Sequence, residues 1–98
     1  MSKAKERPKT LYRLVLVEWE DSARPIAEWQ WVDEYAAPAI VRCISVGYLI
    51  AETKSAIALA PNLGDVTRER VQASGIIRLP RSAILRRVSL SETPASPR

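Results

Sequence analysis

The stretch Gly75-Ile-Ile-Arg-Leu-Pro-Arg-Ser-Ala-Ile-Leu-Arg-Arg-Val-Ser-Leu90 decides the fold of this sequence. A short apolar run ends at Leu79 and Pro80, the three residues 81–83 follow, and a second apolar run starts at Ile84. Proline has no amide hydrogen to donate to a sheet, so it ends the first run as a strand. The stretch therefore predicts two short strands joined by a single helical turn, an arrangement with which a small β-sheet closes on itself.

Apolar and β-branched residues elsewhere predict further strands rather than helices. With the two strands of the first stretch they make five, at 11–19, 40–51, 57–59, 76–79 and 84–90. Gly47 lies inside the longest of them, where a strand can bend sharply. The segment 26–35 is the least regular part, in which Trp29-Gln-Trp31 fits a half-buried strand and Asp33-Glu-Tyr35 fits a short helical turn. The polar segment 62–74 is predicted to be a long loop, with a short helix over 66–73 as the alternative.

No long helix is predicted to cover the sheet, so an antiparallel sheet must curl to bury its apolar face. The prediction is an all-β fold, a small five-stranded antiparallel SH3-like or Sm-like barrel with a short helical turn before the last strand. A single domain over 10–91 is expected, between a flexible basic tail at 1–9 and a disordered tail at 92–98.

Composition excludes several classes of protein. The chain has 98 residues, no apolar run long enough to cross a membrane, and no signal-peptide pattern after its basic start. Its one cysteine, Cys43, has no partner for an internal disulfide, which is typical of a reducing compartment. We therefore expect a cytoplasmic protein that does not enter a membrane.

Charge is distributed in blocks along the chain. The net charge is +4 over residues 1–13, −5 over 18–35 and +5 over 68–87, while the whole chain carries +4. Opposite blocks can neutralise each other within one fold or between two copies. Either use leaves less free positive surface than the composition suggests.

The residue types that catalysis needs are scarce. Histidine is absent, so the usual general base and the commonest metal ligand are missing, and a lone cysteine has no base to activate it. The three glycines are isolated and form no phosphate-binding loop. The sequence predicts a protein that is not an enzyme and uses no cofactor.

Three segments together carry a family resemblance. They are Val17-Glu-Trp-Glu-Asp-Ser22, Cys43-Ile-Ser-Val-Gly-Tyr-Leu-Ile50 and Ile77-Arg-Leu-Pro-Arg-Ser-Ala-Ile84. They resemble a family of small phage and prophage proteins of unknown function, and the likeness covers nearly all of the predicted folded part. The resemblance implies a phage origin and an SH3-like or Sm-like barrel, and no catalytic residue is assigned in that family. The basic tail and the arginine-rich C-terminal part depart from the pattern of that family. The resemblance therefore does not imply that this chain shares a binding partner with the family.

The three tryptophans are the first candidates for function. Because the chain has no phenylalanine, Trp19, Trp29 and Trp31 are expected mainly to fill the core or plug the ends of the barrel. The alternative is an exposed pair at Trp29 and Trp31 that docks a peptide or stacks bases. Acidic neighbours favour a cationic or proline-rich peptide over a polyanion, and Arg68 and Arg70 in the long loop are further candidate contacts for a protein partner.

The second candidates are arginines from the C-terminal strands. Arg78, Arg81, Arg86 and Arg87 are candidate contacts for phosphate or nucleic acid, since guanidinium groups bind phosphate through two hydrogen bonds. The favoured interpretation is plainer: Arg86 and Arg87 point to opposite faces, and some arginines pair with the acidic segment 18–35. A basic N-terminal tail would add salt-sensitive affinity for nucleic acid.

Three functions follow from these features. The first is a non-catalytic binding module that mediates contact with a host or phage protein. The second is a nucleic-acid accessory protein that uses the C-terminal arginines. The third is an oligomeric binder of a small anionic ligand, and self-association is also expected because a small sheet without disulfides or metals is only marginally stable alone.

Overall fold

A computed structural model describes residues 12–22 and 25–93 and shows an all-β protein. Seven strands follow one another in these residues: β1 Arg13–Asp21, β2 Val41–Glu52, β3 Ala56–Ala60, β4 Asn62–Gly64, β5 Gln72–Ser74, β6 Ile77–Pro80 and β7 Ile84–Ser89. Two single 3-10 turns, Val32–Glu34 and Arg81–Ala83, are the helical elements of the same residues. None of the helical elements is long and apolar enough to cross a membrane.

Two antiparallel sheets share these strands. Five strands form the main sheet in the order β6-β3-β2-β1-β7, and β4 pairs with β5 in a separate hairpin. The predicted count of five strands is therefore wrong, and so is the predicted closure into a barrel. β6 and β7 are joined by the turn Arg81–Ala83 but pair with β3 and β1, at opposite edges of the sheet.

The strand-turn-strand prediction for the C-terminal stretch is confirmed. β6 ends at Pro80, the 3-10 turn follows at once, and β7 begins at Ile84. The amide of Arg81 donates to the carbonyl of Ser55 at 2.8 Å, which holds this turn against the β2–β3 connection. The turn also lies against β1. It thus links parts of the sheet that are not neighbouring strands.

The core lies on one face of the main sheet, which we call the inner face. Its buried side chains are Val15, Val17 and Trp19 from β1, Ile57 and Leu59 from β3, and Leu79 from β6. β1 and β6 are separated by two strands in the sheet, yet their side chains belong to one apolar cluster. The sheet therefore curls over its own inner face, as the absence of a predicted helical layer requires.

Gly47 allows two strands to approach closely inside this curl. A Cβ atom at this position would lie 3.0 Å from the carbonyl oxygen of Ala60 on β3. Such a contact is unusually tight, and its neighbour is backbone rather than the end of a flexible side chain, so β3 would have to shift by a few tenths of an ångström. The sequence identified Gly47 as a bend, and the structure gives the close approach that requires it.

The segment predicted as a long loop contains the β4–β5 hairpin, and the alternative of a helix over 66–73 is wrong. Asp65 adopts a left-handed φ of 56° and receives a 2.6 Å hydrogen bond on Oδ2 from Nε2 of Gln72. Aspartate tolerates this backbone region better than most residues. The predicted tail at 1–9 lies outside the described residues, as do residues 94–98 of the predicted tail at 92–98.

Candidate functional site

The connection from β1 to β2 is the most exposed part of the described chain. We call residues 25–40 the tryptophan arm; every one of them is exposed. The connection begins after Asp21 and ends before Val41, and these two residues are register partners. Apart from the 3-10 turn at 32–34 it has no regular structure. The predicted half-buried strand at Trp29 and Trp31 is therefore wrong, because no neighbouring strand pairs with the arm.

The two arm tryptophans lie in solvent. Trp29 is 101% exposed and Trp31 is 77% exposed, whereas Trp19 is buried in the core. The indole Nε1 of Trp19 donates a 3.0 Å hydrogen bond to Ser45 Oγ. The ring of Trp19 is therefore packed in the core while its N–H group is hydrogen-bonded. The interpretation of all three as core residues is thus wrong for Trp29 and Trp31, and the alternative of an exposed pair is the one that the structure has.

The arm has two different sides. Its concave side forms an open groove of about 700 Å³. This groove is lined mainly by Ile26, Glu28, Gln30, Val32, Tyr35 and Ile40. Trp29 and Trp31 do not line it, since neighbouring positions of an extended chain point to opposite sides. Both indoles therefore project from the side of the arm that faces away from the groove.

Three carboxylates accompany the exposed aromatic rings. Glu28, Asp33 and Glu34 are exposed, and within the described residues none of them forms an ion pair. The acidic block of the sequence is thus divided between β1, which uses Glu18 in an ion pair, and the arm, whose charges are free. An apolar, acidic arm is suited to an apolar surface that carries cations.

Two of the predicted phosphate-binding arginines meet on one carboxylate. Oε1 of Glu52 accepts hydrogen bonds from Nη2 of Arg81 and Nη1 of Arg87, each at 2.9 Å. Nε of Arg81 also donates to the carbonyl of Thr53 at 2.7 Å. The hydrogen bond from Arg87, followed by that from Arg81, holds the pKa of Glu52 below its ordinary value. We call this group the Glu52 clasp.

The other two candidates, Arg86 and Arg78, lie away from Glu52. Arg86 is opposite Glu18 in the register, on the face that we call the outer face, whereas Arg87 is opposite Val17 on the inner face. Nη2 of Arg86 lies 3.4 Å from Oε1 of Glu18. Arg78 pairs in register with Ala58, and its neighbour Leu79 points into the core. The favoured interpretation, opposite faces with pairing to the acidic segment, is confirmed for Arg86.

The loop arginines stand apart from both groups. Arg68 and Arg70 belong to the connection between β4 and β5, and both are exposed. Nε of Arg68 lies 3.9 Å from Oδ1 of Asp65, whereas Arg70 has no ion-pair partner among the described residues. Together they line an open concavity of about 780 Å³ over residues 65–72. Their role as partner contacts stays a prediction.

The structure reveals an apolar surface that the sequence reasoning missed. On the outer face, Leu16 of β1 has Val46 of β2 and Val88 of β7 as its register partners. Leu14 and Tyr48 form the next row, and Ile44 lies beside Val46 on the same face. Ile44 is 63% exposed and Val46 is 49% exposed. The available signal was that β2 carries apolar residues on both faces, such as Cys43 on one and Ile44 and Val46 on the other, since a strand buried on one face alternates with polar residues.

The described residues contain no cluster of three cysteine or acidic side chains that would hold a metal ion. Cys43 is half-buried beside the core and its thiol points to the carbonyl of Val41 at 3.8 Å. The chain matches no model of a known protein family, no curated protein and no solved structure. The function is therefore argued from the geometry of the arm and the sheet.

Proposed function

We propose that this chain is a non-catalytic protein-interaction module whose contact element is the tryptophan arm. The full exposure of Trp29 carries the proposal. An indole exposed to this extent keeps a large apolar surface in water and packs against none of the described residues, whereas tryptophan is among the residues that dominate protein-protein contacts. Trp31 lies two residues away and extends the same surface.

The charge of the arm indicates the chemistry of the partner. Glu28, Asp33 and Glu34 flank the indoles, and they repel a phosphate backbone. A partner surface with apolar pockets for the indoles and a rim of lysine or arginine for the carboxylates would complement the arm. Such a partner is a protein. In keeping with the resemblance, the proposal includes a phage origin, a host or phage protein as partner, a cytoplasmic location and an SH3-like or Sm-like relationship of the curled sheet.

The arrangement of the arginines supports a protein partner over nucleic acid. Arg81 and Arg87 already bind Glu52, and Arg86 lies beside Glu18. Phosphate would have to replace these carboxylates before it could be bound. The same engagement weakens the case for a small anionic ligand at these arginines.

Binding of short peptides to dilute protein tests the proposal. An array in which lysine or arginine alternates with leucine, valine and proline should bind and shift the tryptophan emission to the blue. A matched array with glutamate in place of the cations should not bind. Substituting Trp29→Ala and Trp31→Ala together should abolish binding, because these rings supply most of the apolar contact.

A nucleic-acid titration provides the opposing outcome. Short DNA and RNA are added at about 50 and about 200 mM salt, since phosphate contacts weaken steeply with salt. Salt-sensitive binding that Arg86→Ala and Arg87→Ala abolish, with no peptide binding, would contradict the protein-interaction proposal. Peptide binding lost only with the tryptophans would support it.

A further inference from the structure

The described residues carry two apolar surfaces that no other part of the described chain covers. The first is the tryptophan arm, with Trp29 and Trp31 in solvent. The second is the outer face of the sheet, where Ile44 and Val46 remain exposed beside Leu16. Each is unusual for a small protein, and contiguous exposed apolar surface marks a contact site. Their presence together suggests that each covers the other in a different copy.

The arm does not cover the outer face of its own chain. Every residue from 25 to 40 is exposed, including the apolar Ile26, Val32 and Ile40. The carboxylates of the arm also find no cation within the described residues. The outer face, in turn, carries Arg42 near the start of β2, opposite Glu20 in the register, and this guanidinium forms no ion pair among the same residues.

We propose that the tryptophan arm of one copy packs on the outer face of a second copy, and that the second copy returns the same contact. This inference rests on the proposed function, for which it names the partner. A two-fold axis relates the two contacts, because an arm and a face on every chain make a self-complementary pair. The indoles lie along the row of Ile44 and Val46, and the acids of the arm meet Arg42.

The available area is sufficient for a stable dimer. Each tryptophan buries about 150–250 Å², so the four arm tryptophans of two copies supply about 600–1,000 Å². The outer faces lose a similar area, which brings the total to about 1,200–2,000 Å², the range of specific interfaces. The apolar contact supplies the affinity, and the charge pairs fix the register of the arm.

Mass measurement by light scattering tests this in the full-length protein. The wild type should be a dimer in a concentration series that reaches about 100 μM. Trp29→Ala with Trp31→Ala, the arm variant, and Ile44→Glu with Val46→Glu, the face variant, should each raise the dimer dissociation constant by about a hundredfold or more. Val71→Glu changes an exposed apolar residue of the β4–β5 loop and should leave the mass unchanged.

Mixing the two variants gives the decisive result. The face variant keeps an intact arm and the arm variant keeps an intact face, so their mixture restores one of the two contacts. A heterodimer should appear by native mass spectrometry at concentrations where each variant alone is a monomer. A dimer built from two faces or from two arms would not be restored in this way. Circular dichroism checks that both variants remain folded.

The outcomes separate this inference from the proposed function. A monomeric wild type, a dimer that survives in either variant, or a mixture that yields no heterodimer overturns the exchange of arms. The face variant still has a free arm and should still bind the cationic peptides. If it binds them while the wild type is monomeric, the arm is an interaction element for another protein; if it binds none, the proposed function fails.

Discussion

Arg87 on β7 donates a 2.9 Å hydrogen bond to Glu52 at the end of β2, although 35 positions separate them in the sequence. The two strands are not neighbours in the sheet, since β1 lies between them. Arg81, in the turn before β7, binds the same carboxylate oxygen. The Glu52 clasp therefore joins the two halves of the curled sheet at the rim of the core.

The clasp predicts a pH dependence of stability. Arginine lowers the pKa of Glu52 in the folded protein, so the unfolded chain binds a proton on this group more readily. The stabilisation is complete above the ordinary pKa of about 4.5 and is lost as pH falls through the lower folded value. Glu52→Gln should lower the urea midpoint at neutral pH, and the difference from the wild type should shrink at about pH 3.

Glu18→Gln is the matched control for that measurement. Its partner Arg86 lies at 3.4 Å on the outer face, and the pair does not connect separate parts of the curl. Exposed pairs of this kind contribute about 0–1 kcal/mol. An equal loss of stability in both variants at neutral pH would contradict the special role of the clasp.

The close approach at Gly47 predicts a large effect of one methyl group. Gly47→Ala places Cβ 3.0 Å from the carbonyl oxygen of Ala60, and the strands must separate to accept it. The free energy of unfolding should fall by about 1–3 kcal/mol in urea denaturation. Gly64→Ala is the control, because its nearest neighbour would be Gln72 Cβ at 3.9 Å. A neutral Gly47→Ala would show that β2 and β3 are not so closely packed.

The hydrogen bond from Trp19 to Ser45 predicts a coupling between β1 and β2. Trp19→Phe and Ser45→Ala each remove one partner of the 3.0 Å bond. In a double-mutant cycle measured by urea unfolding, the coupling energy should be about 0.5–1.5 kcal/mol. Additive losses would mean that the indole packs in the core without using this bond.

The tryptophans should also differ in their access to solvent. In dilute protein, where arms are free, iodide should quench Trp29 and Trp31 and spare the buried Trp19. Replacing both arm residues by phenylalanine should leave a blue-shifted emission with quenching reduced several-fold. In the wild type, quenching should fall as concentration rises if arms are exchanged between copies. Strong quenching in the double variant would place Trp19 in solvent instead.

Local sequence patterns predicted the class of fold well. Apolar runs and the strand-ending Pro80 are features of residues that lie close together in the chain. They indicated strands, the single turn at Arg81–Ala83 and the absence of long helices. The β4–β5 hairpin was not found, because its strands have three residues each and depend on the conformation of Asp65.

The sequence by itself determined an all-β chain with separate acidic and basic blocks, because strand propensity and charge are properties of short segments. Only the tertiary structure decided that the sheet curls without closing, that Trp19 is buried while Trp29 is exposed, and that Arg87 binds Glu52. These outcomes depend on contacts between distant residues. Strand pairing and the curl of the sheet determine which side chains are buried and which form ion pairs, and a local sequence pattern does not specify either.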